Sequence, residues 1–134
     1  MLAPATAFYA VALVLMKLFL VWRVIALRQR LGVGLGDGGH KDLRVAIRTH
    51  ANFVEYLALV LVLMFLAEMN GVAYPAIHGA GLLFVASRCA HVIGMTDGAG
   101  RYHLARALGV VGTWLALLVL CGLLAHNALS ITYL

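Results

Sequence analysis

Four long apolar stretches, separated by short polar connections, dominate this chain of 134 residues. Hydrophobic residues make up 64% of the sequence and charged residues 11%, whereas an ordinary soluble domain has roughly 45–50% and about 25%. A hydrocarbon core about 30 Å thick requires about 20 apolar residues per helix. The sequence therefore predicts an all-α membrane protein, in which one domain over residues 1–134 forms a four-transmembrane-helix bundle. The predicted spans are about 5–27, 42–68, 74–95 and 102–125.

Lysine and arginine residues are concentrated around two of the three connections, and the formal net charge is +5. Those that flank the first connection are Arg28, Arg30, Lys41, Arg44 and Arg48, and those that flank the third are Arg88, Arg101 and Arg106. By the positive-inside rule we expect an integral, multi-pass protein of the inner (cytoplasmic) membrane, with both of these connections in the cytoplasm and both termini on the opposite side. Clustering by connection is typical of membrane topology, so we expect no nucleic-acid partner.

Polar residues form a stripe on the second helix just before it becomes fully apolar. Arg44, Arg48, Asn52 and Glu55 follow one another at steps of four, four and three, which places them on one face. At the same end, span one ends with Arg28 and Arg30, span three carries Arg88 and His91, and span four starts with Arg101 and Tyr102. Charged groups at a membrane boundary are costly without partners. The sequence therefore predicts a polar site where these four helix ends converge.

A structural explanation competes with a binding site for several of these residues. Arginines at span ends commonly reach lipid headgroups, which is our expectation for Arg30, Arg44 and Arg106. Glu55 is predicted to pair with an arginine of another helix, and spacing alone leaves open whether that pair is structural or holds a ligand. His91 and Asn52 could equally be interior residues that hydrogen-bond between helices.

As a set, these side chains suit a small anionic ligand that has an amino group. Arginines bind carboxylates in a planar fork, Glu55 would receive an ammonium group, and Asn52 would bond amides. A nearby arginine would also stabilise a thiolate, and the adjacent lipid would deliver apolar substrates. Cys89 and Cys121 lie in apolar segments without metal or redox spacing, so we expect them to pack and predict no metal site.

Glycines mark one connection and two predicted helix contacts. Residues 32–39 include Gly32, Gly34, Gly36, Gly38 and Gly39 and are predicted to form a loop. This loop lacks the Gly-Lys-Ser/Thr sequence of a phosphate cradle. Small residues on span four and span three predict close helix packing, and they are Gly109, Gly112, Ala76, Gly79 and Ala80.

The segment Arg48-Thr49-His50-Ala51-Asn52-Phe53-Val54-Glu55 resembles the signature of the MAPEG proteins, the membrane-associated proteins in eicosanoid and glutathione metabolism. The resemblance extends over nearly the whole chain. It includes Lys17 in span one, Arg28 and Arg30 after it, Arg88-Cys89-Ala90-His91 near the end of span three, and Arg101 before span four. The loop Gly36-Asp37-Gly38-Gly39 is most similar to the short bacterial members, which resemble microsomal glutathione transferases.

This resemblance implies a homotrimer that binds glutathione, as a co-substrate, between neighbouring subunits near the cytoplasmic face. Carried over by position, Arg48, Asn52, Glu55 and Tyr56 would bind it from the second helix, Arg88 and His91 from the third, and Arg28 from the neighbouring subunit. Arg101 corresponds to the arginine that stabilises the thiolate and is the predicted catalytic residue. The implied activity is conjugation of glutathione to lipophilic electrophiles dissolved in membrane lipid, with or without peroxidase activity.

The sequence departs from the family pattern at two positions. Ala51 stands where several mammalian relatives have a second arginine, so one carboxylate contact is either missing or supplied by Arg44, and Met95 stands where relatives often have a tyrosine. The segment from His91 to Arg101 is also shorter than in the eicosanoid enzymes, so eicosanoid synthesis is not implied. Two alternatives stay open, a catalytically silent membrane protein with the MAPEG fold and a small multidrug exporter. An exporter needs its carboxylate near the membrane midplane, whereas Glu55 lies only a few residues inside the apolar boundary.

Overall fold

The protein forms four antiparallel α-helices in a computed structural model that describes residues 2–132, with side chains up to residue 130. The helices are α1 (Pro4–Leu31), α2 (Lys41–Met69), α3 (Tyr74–Asp97) and α4 (Leu104–Thr132). Each is long and apolar enough to cross a membrane, and residues 2–132 contain no strand. The prediction of an all-α membrane protein with four spanning helices is confirmed for these residues. Met1, Tyr133 and Leu134, which the predicted domain includes, lie outside them.

The helices extend past the predicted spans at most ends, whereas α4 begins at Leu104, two residues later than predicted. α2 begins at Lys41, and its first three turns carry the basic residues that precede the apolar run. α1 continues to Leu31, where Gly32 adopts a left-handed conformation with φ 66° and donates its N–H to the carbonyl oxygen of Arg28. Glycine adopts this conformation without a steric penalty, so it ends the helix. We call the end of the bundle with connections 32–40 and 98–103 the basic end, and the end with connection 70–73 the opposite end.

At the opposite end, Glu68 caps the first turn of α1. Its carboxylate accepts the N–H of Ala5 at 2.9 Å, the N–H of Thr6 at 2.8 Å and the hydroxyl of Thr6 at 2.7 Å. The first N–H groups of a helix have no partner within the helix, and an anion is favoured there by the helix dipole. Glu68 therefore ties the end of α2 to the start of α1, a contact between residues more than sixty positions apart that the sequence analysis did not predict.

α3 and α4 approach each other closely through glycines. A Cβ atom at Gly109 would lie 2.5 Å from the main-chain nitrogen of His91, and one at Gly112 would lie 2.2 Å from the hydroxyl oxygen of Ser87. The predicted role of these two glycines is confirmed. The same prediction for Gly79 is wrong, since a Cβ atom there would meet nothing within 4 Å. Gly94 contributes a third contact, where a Cβ atom would lie 2.2 Å from the main-chain nitrogen of Arg106.

The buried core runs along the bundle axis, whereas the outer surface is largely apolar. Phe53, Met64 and Phe84 are among the residues that fill the core, and each is at most 1% exposed. A smaller cluster at the basic end consists of Val24, Leu43 and Ala46. Many large apolar side chains point outward from all four helices. Such a surface is expected for helices whose outer faces contact lipid.

The glycine-rich connection between α1 and α2 is held by Asp37. Its carboxylate accepts the N–H of Gly39 at 2.9 Å and forms an ion pair with Arg44. The hydrogen bond from Arg44, followed by that from Gly39, lowers the pKa of the Asp37 carboxyl below its ordinary value. The loop is therefore organised around its own carboxylate.

Candidate functional site

A chain of polar contacts joins α2, α3 and α4 within the bundle. The side-chain amide of Asn52 donates to Glu55 at 3.3 Å and accepts a hydrogen bond from the guanidinium of Arg88 at 3.1 Å. The guanidinium carbon of Arg88 lies 5.4 Å from the ring centroid of Tyr56. The hydroxyl of Tyr56 in turn accepts a hydrogen bond from the indole N–H of Trp114 at 3.3 Å. We call these five residues the Arg88 network.

Arg88 is the group in this network that most needs explanation. It is 1% exposed, and no described carboxylate lies within ion-pair distance of it. Its Nε atom is buried without a hydrogen-bond partner in the described chain. A buried, unpartnered donor costs about 1–3 kcal/mol, and more when it is charged. Arg88 therefore has hydrogen-bonding capacity that the cation–π contact with Tyr56 and the bond to Asn52 do not use.

His91 has the same property one turn along α3. Its side chain is 3% exposed, and its Nδ1 atom is buried without a hydrogen-bond partner in the described chain. The imidazole lies beside the glycine contact at Gly109, which brings α4 against this turn of α3. Two consecutive turns of α3 therefore each present a buried, unsatisfied nitrogen, as the predicted pairing of Arg88 and His91 on one face requires.

His50 is a third residue of this kind, on α2. Its Nε2 atom is buried without a hydrogen-bond partner in the described part of the chain, and Lys17 of α1 lies close enough to interact with it electrostatically. Lys17 is half-buried and therefore faces protein on one side. This pair belongs to the α1–α2 contact and is not joined by any hydrogen bond to the Arg88 network.

Glu55 differs from its predicted arrangement. The sequence analysis expected an ion pair with an arginine of another helix, but in residues 2–132 the ion pair within 4 Å is Arg44 with Asp37. Asn52 stands between Glu55 and Arg88 and bonds to both. The carboxylate is exposed on the side of the protomer. It is therefore held in place by an amide, with acceptor capacity left for a group from outside the chain.

A cavity of about 340 Å³ lies at the basic end, between the start of α2 and the α3–α4 connection, and its lining includes none of the five residues of the Arg88 network. Arg48 and Arg101, which are 53 positions apart, both line it, so the fold brings these two predicted residues together. The complete lining is Lys41, Arg44, Val45, Arg48, Met95, Ala99, Gly100, Arg101 and Arg106. Five of these nine residues are cationic and none is acidic.

Arg106 determines the shape of the connection that carries Arg101. Its guanidinium donates to the carbonyl oxygen of Gly100 at 3.1 Å and to that of Arg101 at 3.5 Å. Ala99, in the same connection, has a positive φ of 47°, which an L-residue rarely adopts. The expectation that Arg106 reaches lipid headgroups is therefore incomplete, since Arg106 also holds the loop. Its position in the first turn of α4, five residues after Arg101, was the available sequence signal.

In the described part of the chain, Arg28 contacts neither the Arg88 network nor the cavity that Arg48 and Arg101 line. Its guanidinium donates to the carbonyl oxygens of Val33 at 3.4 Å and Gly34 at 3.1 Å, just after the end of α1. In the described residues, no hydrogen bond or ion pair connects it to the Arg88 network or to Arg101. The resemblance implied that this arginine would serve the site of a neighbouring subunit.

Trp114 is the member of the network that the sequence analysis missed. Its indole ring is exposed on α4 and donates to the phenol of Tyr56 on α2. A tryptophan in an apolar span is normally assigned to lipid contact or to the membrane interface. The contact depends on the position of α4 relative to α2, so no local pattern in the sequence indicates it.

Together, the fold and these contacts define a class: an integral membrane protein of four helices with a cationic site at one end of the bundle. The chain belongs to the MAPEG family, whose model matches residues 6–126. It is similar to the inner membrane protein YecN of Escherichia coli strain K12, with 37% identity over 115 residues that cover 86% of each chain. YecN of an O6:H1 strain of the same species matches with the same identity and coverage.

Proposed function

We propose that this protein is a membrane-bound glutathione transferase that conjugates glutathione to lipophilic electrophiles. The observation that carries the proposal is the Arg88 network: a buried guanidinium with an unpartnered Nε atom, linked through Asn52 to an exposed carboxylate. One turn before Asn52 on α2, Arg48 lines a cavity together with Arg101. Family membership supports the same activity, because the MAPEG family includes glutathione transferases.

Each ionic group of glutathione has a complementary side chain in this region. Glu55 receives the ammonium group, while Arg48 and Arg88 bind carboxylates, and Asn52 can bond to a peptide amide. Tyr56 and His91 complete the walls on α2 and α3. In this proposal Arg28 reaches the ligand from a neighbouring subunit, which requires a homotrimer or another closed oligomer with the site at its subunit boundary.

Catalysis then follows from placing the thiol beside Arg101. The guanidinium favours loss of the thiol proton to solvent, because it stabilises the thiolate that results. The thiolate attacks an electrophilic carbon, a C–S bond forms, and the leaving group departs with the electron pair of the bond that breaks. Electrophiles that dissolve in the bilayer reach the site from the surrounding lipid, so binding both reactants at the membrane surface supplies proximity.

We place the site on the cytoplasmic side of the inner membrane. The relatives are named as inner membrane proteins, and the basic end carries the arginines and lysine that the positive-inside rule assigns to the cytoplasm. Cytosol is also where a soluble tripeptide co-substrate would have to enter. Cysteine-accessibility labelling of single cysteines introduced at Gly34 and Gly71 would establish which end faces the cytosol.

Glutathione titration of the detergent-purified protein tests the proposal. We expect binding by calorimetry at millimolar glutathione, and glutathione-dependent conjugation of chlorodinitrobenzene. Arg48→Gln should weaken glutathione affinity by about tenfold, whereas Arg30→Gln, which removes an exposed cation from the same end, should not change it. Absence of binding in the wild-type protein, or equal loss of affinity in both variants, would contradict the proposal.

A catalytically silent MAPEG protein is the second candidate, and one observation favours it. Met95 lies in the wall of the cavity beside Arg101, at the position where the resemblance leads one to expect a tyrosine hydroxyl. A protein that binds glutathione with the expected affinity but does not conjugate any electrophile would fit this candidate. An exporter of cations is disfavoured, because Arg88 belongs to the same network as Glu55 and would repel them.

A further inference from the structure

The cavity at the basic end holds more positive charge than glutathione can use. In the proposed function, glutathione engages Arg48 and Arg101, two of the five cations that line this cavity. Lys41, Arg44 and Arg106 line the same space and have no role in that binding. No acidic residue of the described chain lines the cavity, and Asp37 pairs with Arg44 from the neighbouring connection.

We propose that the part of the cavity lined by Lys41, Arg44 and Arg106 is a binding site for a phosphate group. The inference goes beyond the proposed function and rests on it only for the assignment of Arg48 and Arg101 to glutathione. The phosphate could belong to a phospholipid headgroup or to a water-soluble phosphate ester, because both present the same oxygens.

Three properties of the cavity support phosphate over a carboxylate. The three proposed ligands come from two separate segments, Lys41 and Arg44 from the start of α2 and Arg106 from the start of α4, and so approach a ligand from different directions. Phosphate presents three or more acceptor oxygens in a tetrahedral arrangement, whereas one bidentate arginine already satisfies a carboxylate. A group with up to two negative charges also compensates this cluster better than a single charge.

The surroundings of the cavity suit a ligand at the lipid–water boundary. Val45 and Met95 supply apolar walls and are both largely buried. The volume of about 340 Å³ is near the lower end of the range for small-molecule sites, roughly 300–1,000 Å³, and is sufficient for a headgroup. Lys41 and Arg44 are exposed at the rim, and both lie on the first two turns of α2.

Binding of inorganic phosphate by the protein in an uncharged detergent tests the site. We expect saturable binding by calorimetry at millimolar phosphate, and at least about tenfold weaker binding of acetate. The double variant Lys41→Gln/Arg44→Gln should bind phosphate about tenfold more weakly, and Arg30→Gln, outside the cavity, should bind it like the wild type. Both substitutions are of exposed side chains, and circular dichroism would verify that the helices are retained.

A second experiment distinguishes a phospholipid headgroup from a soluble phosphate ester. Native mass spectrometry measures how much phosphatidylglycerol and how much diacylglycerol the protein retains. Preferential retention of phosphatidylglycerol that the double variant loses supports a lipid headgroup. Phosphate binding without such retention supports a soluble phosphate ester. Absence of both, or equal binding of acetate and phosphate, would overturn the inference.

Competition with glutathione distinguishes this proposal from the proposed function. If phosphate still binds at saturating glutathione, the two sites are separate, as we expect. Complete displacement would assign the whole cavity to glutathione, which would overturn the phosphate site and leave the transferase proposal intact. Phosphate binding in a protein that does not bind glutathione would support the phosphate site and contradict the transferase proposal.

Discussion

The two ends of this bundle use polar residues in opposite ways. At the opposite end, polar groups satisfy one another: Glu68 accepts three hydrogen bonds from the start of α1, and Tyr9 donates to the carbonyl oxygen of His78 at 2.9 Å. At the basic end, Arg88 and His91 keep buried nitrogens without partners. Satisfied groups hold helices together, whereas unsatisfied ones await a ligand or another subunit. We therefore assign a structural role to the polar groups at the opposite end, and we place the candidate site at the basic end.

Arg101 should give the largest effect if the basic end is catalytic. Replacing Arg101 with Gln removes the charge that stabilises the thiolate, and we expect turnover to fall by about 100- to 1,000-fold. Glutathione affinity should change much less, because other groups hold the carboxylates and the ammonium. Steady-state conjugation kinetics combined with calorimetry measure the two quantities separately. A variant that loses affinity and keeps its turnover would place Arg101 in binding instead.

The two glutamates of α2 provide a matched pair, and Glu55 is the one expected to act in binding. Glu55→Gln keeps the shape of the side chain and removes its charge, so we expect glutathione affinity to fall by about 30-fold, or about 2 kcal/mol. Thermal stability should hardly change, because Glu55 accepts one hydrogen bond in the chain, from Asn52. Unchanged glutathione affinity in this variant would show that the ammonium binds elsewhere.

Glu68→Gln is the converse experiment at the opposite end. The substitution weakens the cap on α1, so we expect a loss of about 1–2 kcal/mol in stability, with glutathione affinity unchanged. Thermal unfolding in detergent, with and without glutathione, measures both effects. If Glu55→Gln and Glu68→Gln changed thermal stability and glutathione affinity in the same way, the contrast between the two ends would be wrong.

The smallest effect is expected from Arg106→Gln. This substitution removes the bonds to the carbonyl oxygens of Gly100 and Arg101, so Arg101 should be less well positioned. We expect turnover to fall about three- to tenfold, in proportion to the loss of about 1 kcal/mol for a partly exposed contact. Arg106→Lys should recover part of it if the loop bonds matter. Equal turnover in Arg106→Gln and wild type would return Arg106 to the role of a headgroup anchor.

Much of the site could be predicted because its residues follow helical spacing. Arg48, Asn52 and Glu55 share a face of α2, and Arg88 and His91 share a face of α3. Helical spacing did not predict their mutual contacts equally well. Asn52 was expected to form a hydrogen bond between helices, and it accepts one from Arg88. Glu55 was expected to form an ion pair with an arginine, but it accepts a hydrogen bond from Asn52. Spacing places side chains on a face, and only the packing of two helices decides which atoms meet.

What the sequence determined by itself is membrane residence, four helices and a concentration of charge at one end. These follow from hydropathy and periodicity, which sum over neighbouring residues and need no knowledge of distant ones. The tertiary structure alone decided that Glu68 caps α1, that Trp114 reaches Tyr56, and that Arg48 and Arg101 share one cavity. Such contacts require atoms from remote segments to come within a few ångströms of each other. Local patterns cannot supply that proximity, because it depends on how the four helices pack against one another.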